Sequence, residues 1–316
     1  MALASPQISV EQSETKRFPT ASGVLELLKP VTWFPPMWAF MCGAVSSGVA
    51  FSGNWIFVIC GIILAGPLVC AMSQAINDWH DRHVDAINEP QRPIPSGRMP
   101  GQWGLYVAGI WTLLSLAMAL FLGMWVVFAT LIGLFLAWAY SAPPLRLKQN
   151  GWAGNTAVAV CYEGLAWFTG AAVLVGGMPD WRIIALAALY SFGAHGIMTL
   201  NDFKSVQGDR QMGVRSIPVQ LGEQNAARLA SVMMAAPQVM VIALLYSWGL
   251  PIHAFIVAGF LAGQVALMFK YLLNRQKLMS EPKRNAALYN ATGTSLYVFG
   301  MLASAFGIGG LLAGVA

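Results

Sequence analysis

Charge is what this chain has least of. Only 10% of its 316 residues are charged, against 57% hydrophobic, and its mean hydropathy is +0.61. That deficit excludes an ordinary soluble domain, in which about a quarter of residues are charged. Cysteine is scarce as well. Cys42, Cys60, Cys70 and Cys161 all fall in apolar runs without CxxC spacing, which excludes a zinc ribbon and a disulfide framework and leaves small apolar packing residues. The opening residues 1–28 lack an apolar core, so they do not read as a cleaved signal peptide. They are expected to form a frayed cytoplasmic tail (1–28) ahead of one transmembrane domain (29–316).

Long apolar runs are abundant. Nine approach the roughly 20 residues that a bilayer requires: 31–51, 55–76, 102–122, 124–140, 152–175, 181–200, 226–247, 251–273 and 291–314. The expected fold class is therefore all-α, a polytopic membrane protein. Of the 18 Lys and Arg residues, 17 fall on one side of such a nine-span path and only Arg182 opposite. By the positive-inside rule that side is cytoplasmic, with the N-terminus inside and the C-terminus outside. The net charge of +5 then follows from topology and anionic lipid, and no nucleic-acid partner is expected.

The stretch NDWHDRHVD, residues 77–85, follows directly on the second run. Asp78, Asp81 and Asp85 are spaced i, i+3, i+7 and share one side of a continuing helix, with Asn77 near them. Three like charges so close repel unless something positive neutralises them. A hard divalent cation does so, and Mg2+ takes carboxylate and amide oxygens while completing its shell with water and a substrate phosphate. The turn-rich AINEPQRPIPSGR that follows carries Arg92 and Arg98, guanidinium groups suited to a phosphate.

After the fourth run, YSAPPLRLKQNGW places Tyr140 at a helix end and Arg146 and Lys148 beyond a Pro-Pro break. Glu163 lies within the fifth run, where an acid is functional by default: a proton-handling group, a contact to a polar substrate edge, or a hydrogen bond between helices. The sixth run ends in a second Asn-Asp pair, Asn201-Asp202, followed by Lys204, Asp209 and Arg215. RPIP follows the first pair and RSIP the second, at separations of 15 and 14 residues, which reads as an internal repeat of a helix plus an acidic loop. Five of the six Asp residues lie in these two segments, as a magnesium diphosphate site between facing helix ends requires. His195 stands on the face leading to that site, as a packing residue or a metal ligand.

NDxxDxxxD, the second acidic stretch and YSxPPLRLK together resemble the UbiA superfamily of intramembrane prenyltransferases, over the chain beyond residue 25. DAINEPQRPIPSGR, YSAPPLRLKQNGWAGN, YEGLAWFTGA and NDFKSVQGDRQMGVRSIPVQLG are most similar to its chlorophyll and bacteriochlorophyll synthases. The resemblance implies nine helices around a central cavity, capped on the cytoplasmic side and open laterally to lipid. It implies Mg2+ and diphosphate held by Asn77, Asp78, Asp81, Asp85, Asp202 and Asp209. Ser205 stands where many members carry the first acid of a DxxxD motif, and Gln207 where another acid is common. Arg92, Arg146, Lys148 and Arg215 would balance the diphosphate, joined at the substrate by Arg98, Asn201, Lys204, Glu163 and His195.

The implied reaction esterifies the propionate of a chlorophyllide or bacteriochlorophyllide with geranylgeranyl or phytyl diphosphate, in a photosynthetic inner membrane. Asp78, Asp81, Asp85, Arg92 and Tyr140 are the expected catalytic residues. Ionisation of the C–O bond leaves an allylic cation, and an aromatic face such as Tyr140 would stabilise it by roughly 0.5–2 kcal/mol. A carboxylate, with a reference pKa of about 4, needs no general base to attack. Pigment-protein or biosynthetic partners are left open. Two rival readings remain: a prenyltransferase acting on a quinone or haem precursor, and a cation transporter built on repeated helices.

Overall fold

The computed structural model describes residues 18–314, so Lys16, Arg17 and the rest of the expected tail up to residue 17 lie outside the described residues. Nearly all of the described chain is helical, because backbone amides in a bilayer find partners most economically within one helix. A short helix α1 (Ala21–Leu28) precedes α2 (Phe34–Ser46). Residues 21–28 thus depart from the expected frayed tail. Leu27 and Leu28 are buried against Met72, Ala75 and Ile76, and that apolar contact holds the segment down.

Then come α3 (Trp55–Asn88), α4 (Trp103–Leu122), α5 (Met124–Ser141), α6 (Gly151–Val175) and α7 (Trp181–Asn201). Two short helices, α8 (Val206–Met212) and α9 (Ile217–Leu221), lead to α10 (Glu223–Ser247) and α11 (Pro251–Leu273). The chain closes with α12 (Arg275–Ser280) and α13 (Pro282–Leu312). Eight of these are long and apolar enough to cross a membrane. The first expected span is the exception. Its helix α2 starts only at Phe34, with Pro35 and Pro36 in the first turn, stops at Ser46 ahead of Gly48 at a φ of 72°, and so keeps only 13 residues.

Local chemistry sets the helix ends. Asn150 accepts a hydrogen bond from the Trp152 amide and Asp180 from the Arg182 amide, capping α6 and α7. The long α3 runs through the acidic stretch and stops at Asn88, just ahead of Glu89 and Pro90, where the residue before a proline is pushed out of helical geometry. Within α3 and α6, Leu64–Cys70 and Val160–Leu165 widen into π-helical turns.

Glycines let α2 lie directly on α6. A Cβ on Gly43 would stand 1.9 Å from the Trp167 carbonyl oxygen, and one on Gly170 1.9 Å from that of Phe40. Gly170→Ala is therefore expected to cost about 1–3 kcal/mol by overpacking, read as a lower midpoint in heating followed by size-exclusion chromatography in detergent. Around this crossing Trp167 stacks on Tyr190 at 5.6 Å, and Tyr190 meets the edge of Tyr297 at 5.3 Å. Farther round the bundle, Gln238 and Gln264 exchange amide hydrogen bonds of 2.9 and 3.1 Å between α10 and α11.

Candidate active site

The ends of α3, α5 and α7 and the start of α6 meet at one end of the bundle. Two loops are stitched together there. The Gly151 amide donates to the Arg215 carbonyl at 2.8 Å, and the Arg215 amide to the Gln149 carbonyl at 2.9 Å. The segment after α5 is thus fastened to the segment after α7.

Because α3 stays helical to Asn88, its acids keep the register expected of them, and each meets a cation. Arg92 Nη1 donates to Asp85 Oδ2 at 2.9 Å and to Asp78 Oδ1 at 3.3 Å, while its Nε donates to Glu89 at 2.6 Å. Lys29 Nζ reaches Asp78 Oδ1 at 2.7 Å, and Lys148 Nζ reaches Asp81 Oδ1 at 2.6 Å. Asp78 and Asp85 are buried, and Oδ2 of Asp78 has no hydrogen-bond partner. Burial pushes the Lys148 ammonium below its ordinary range, against the pull of the Asp81 carboxylate. Its charge is therefore lost at lower pH than that of a free lysine. The rate should fall on the alkaline side as Lys148 deprotonates, and Lys148→Arg should carry that limb to higher pH in a pH–rate profile, since a guanidinium stays charged.

The second acidic segment is less helical than the first. Asp202 opens a 3-10 turn and accepts a hydrogen bond from Asn155 at 3.0 Å. Ser205, in the position where an acid is common in the superfamily, donates to Asp209 Oδ2 at 3.0 Å. Among the described residues no three His, Cys, Asp or Glu side chains converge as a metal cage. The six residues expected to hold Mg2+ are instead divided among cations, an amide and two hydroxyls, those of Ser141 and Ser205. Such an arrangement still suits magnesium, which takes one or two carboxylates and leaves its other positions to water and phosphate. The open Oδ2 of Asp78 is one oxygen of that kind.

Below the mouth lies a cavity of about 570 Å3. Asn77, Asn201 and Lys204 line its polar end, with Tyr140 beside them and Glu163 deeper in. Asn77 donates to Ser141 at 3.2 Å, and Asn201 accepts from Asn290 at 2.9 Å. Both Asn-Asp pairs therefore send their Asn to the cavity. The walls are otherwise largely apolar, from Phe34 and Trp38 on α2 to Leu136 on α5 and Ile197 on α7.

Several expected site residues stand elsewhere. Arg98 is drawn off by Glu26, with Nη2 donating at 3.0 Å on the surface. The exposed Arg215 contributes its backbone to the stitch described above. His195 is buried in ring contact with Trp152 at 5.7 Å and is not among the residues lining the cavity. Arg146 turns the chain at a positive φ of 37°, with its Nε buried and unpartnered. Conversely, sequence reading overlooked Lys29, Gln74, Asn155, Tyr162 and Asn290. Lys29 pairs across 49 positions, and Gln74 donates to Tyr162 Oη across 88 at 3.2 Å. No local pattern announces contacts so remote in the chain.

A helical membrane bundle with paired carboxylates and cations over a largely apolar cavity has the form of an enzyme joining an anionic head group to an apolar chain. The UbiA prenyltransferase family profile matches residues 32–292. The 33 kDa chain of bacteriochlorophyll synthase from Cereibacter sphaeroides is 55% identical over 293 residues, covering 93% of this chain and 95% of that one. Rice chloroplast chlorophyll synthase is 38% identical over 296 residues, 89% and 75% of the two chains. Among solved structures, a UbiA homologue from Archaeoglobus fulgidus bound to DMAPP and Mg2+ superposes with a TM-score of 0.68 at 19% identity, covering 87% and 99%. The chain belongs to the UbiA prenyltransferase family.

Proposed function

We propose that this prenyltransferase esterifies the propionate of a chlorophyllide or bacteriochlorophyllide with geranylgeranyl or phytyl diphosphate, releasing diphosphate. The observation that carries this is the near full-length identity to a bacteriochlorophyll synthase, above a mouth whose carboxylates and cations match a metal-bound diphosphate. Mg2+, with Asn77, Asp78, Asp81 and Asp85 at its first position and Asp202 and Asp209 facing them, would supply charge that makes diphosphate a better leaving group. Lys29, Arg92 and Lys148 hold the phosphoryl oxygens and exchange their present carboxylate partners for them. Tyr140 presents its ring to the allylic carbon as positive charge develops.

The propionate attacks as the carboxylate it already is, so no side chain has to take a proton. Apolar walls keep water away, which would otherwise capture the cation as free alcohol. On the distribution of basic residues, the mouth and the N-terminus face the cytoplasm, in an inner membrane of photosynthetic type.

Purified protein in detergent with Mg2+ and geranylgeranyl diphosphate would be offered chlorophyllide a, bacteriochlorophyllide a and 4-hydroxybenzoate separately, with product followed by chromatography. Esterification of a chlorophyllide, abolished by EDTA, is expected. Product from the phenol alone would move the chain to quinone synthesis, and no product from any acceptor would revive a transport function.

A further inference from the structure

Glu163 is the one acid in the cavity wall that the chemistry above leaves unused. It is 6% exposed, lines the cavity, and its Oε2 has no hydrogen-bond partner. Among the described residues no Lys, Arg or His forms an ion pair with it. An anion with no cation beside it is unfavourable in a membrane bundle, whereas the acid form carries one O–H to give. The residue rides on the π-helical turn Val160–Leu165, and such turns are often kept where a side chain must be aimed.

The position selects between the two substrates. Glu163 stands 12 residues into α6 from Gly151, about 18 Å along the axis from the mouth. Diphosphate is held at the mouth, and a prenyl tail has no polar atom to offer a carboxyl group. A tetrapyrrole does have one, since its rim carries carbonyl oxygens remote from the central cavity of the ring and conjugated with it. On the reading of function just given, we infer that Glu163 positions the acceptor macrocycle by hydrogen-bonding a carbonyl on its rim, so the inner end of the cavity belongs to the pigment.

The experiment compares wild type with Glu163→Leu and Glu163→Gln as full chains in detergent. Chlorophyllide a is titrated without prenyl donor while its longest-wavelength absorption band is followed, and KM is then measured for each substrate. A hydrogen bond to a conjugated carbonyl moves that band. Wild type should bind with a shifted band, Glu163→Gln with a smaller shift because an amide is the weaker donor, and Glu163→Leu with none. Glu163→Leu should also raise KM for the chlorophyllide about tenfold while leaving KM for geranylgeranyl diphosphate unchanged.

If wild type and Glu163→Gln give the same band position, or Glu163→Leu raises only the KM for the diphosphate, the assignment is overturned even though esterification stands. The Gln variant decides the matter by itself should the Leu variant fail to fold. Wild type that esterifies no chlorophyllide would overturn the parent reading, and this assignment with it.

Discussion

Asp81→Asn and Asp85→Asn should each lower kcat/KM about a thousandfold while leaving the protein in the membrane and monodisperse in detergent. Asparagine keeps the size of the side chain, so α3 and its packing persist. What is lost is the negative charge that balances a bound cation and orients Lys148 or Arg92. The check is steady-state prenyl transfer over a range of Mg2+ concentrations, with size exclusion as the control for folding. Asp81 faces Lys148 and Asp85 faces Arg92, so the variants test the two sides of the mouth separately. Normal turnover in either would remove that carboxylate from the metal-diphosphate site.

Arg92→Ala should have the second largest effect, and on stability as well as rate. Arg92 touches Asp78, Asp85 and Glu89, and the first two have side chains only 3% and 10% exposed. Removing the cation strands the buried Asp85 carboxylate and leaves Asp78 with Lys29 alone, a loss of about 3–5 kcal/mol in comparable buried pairs. Lys29 still reaches Asp78, but Asp85 keeps no other basic partner among the described ion pairs. The expected result is a marked drop in melting midpoint together with loss of activity. Arg92→Ala combined with Asp85→Asn should recover part of the midpoint but none of the turnover. A double variant as labile as Arg92→Ala alone would show that the pair is not what holds this end of α3.

Apolar length made most of the bundle legible, because it follows from the bilayer and needs no knowledge of packing. The first span was overestimated for a definite reason. Hydropathy takes no account of backbone conformation, whereas α2 starts only at Phe34, with Pro35 and Pro36 in its first turn, and stops at Ser46, ahead of Gly48 at a φ of 72°. The acids of the first segment were legible because helical spacing is a local property. Their partners were not: Lys29 meets Asp78, and Lys148 meets Asp81 across 67 positions, and both pairings depend on how helices associate. Arg98 shows the converse, since a basic residue beside a phosphate-like loop reads as a ligand until Glu26 claims it.

The shortness of α2 bears on how the chain is made. Thirteen residues span about 20 Å, well under the roughly 30 Å of hydrocarbon a membrane presents. Its closest contact is the glycine crossing with residues 166–175, more than a hundred positions later. While the ribosome is still working through α3, α4 and α5, the opening segment is short and has only part of its seat, with Phe40 and Met37 against Gly61 and Gly66 of α3. Its seat in the bundle is completed only when α6 and then α13, where Trp38 donates to the Val298 carbonyl, have emerged, so translation must pass the middle of the message before the beginning of the protein is secured.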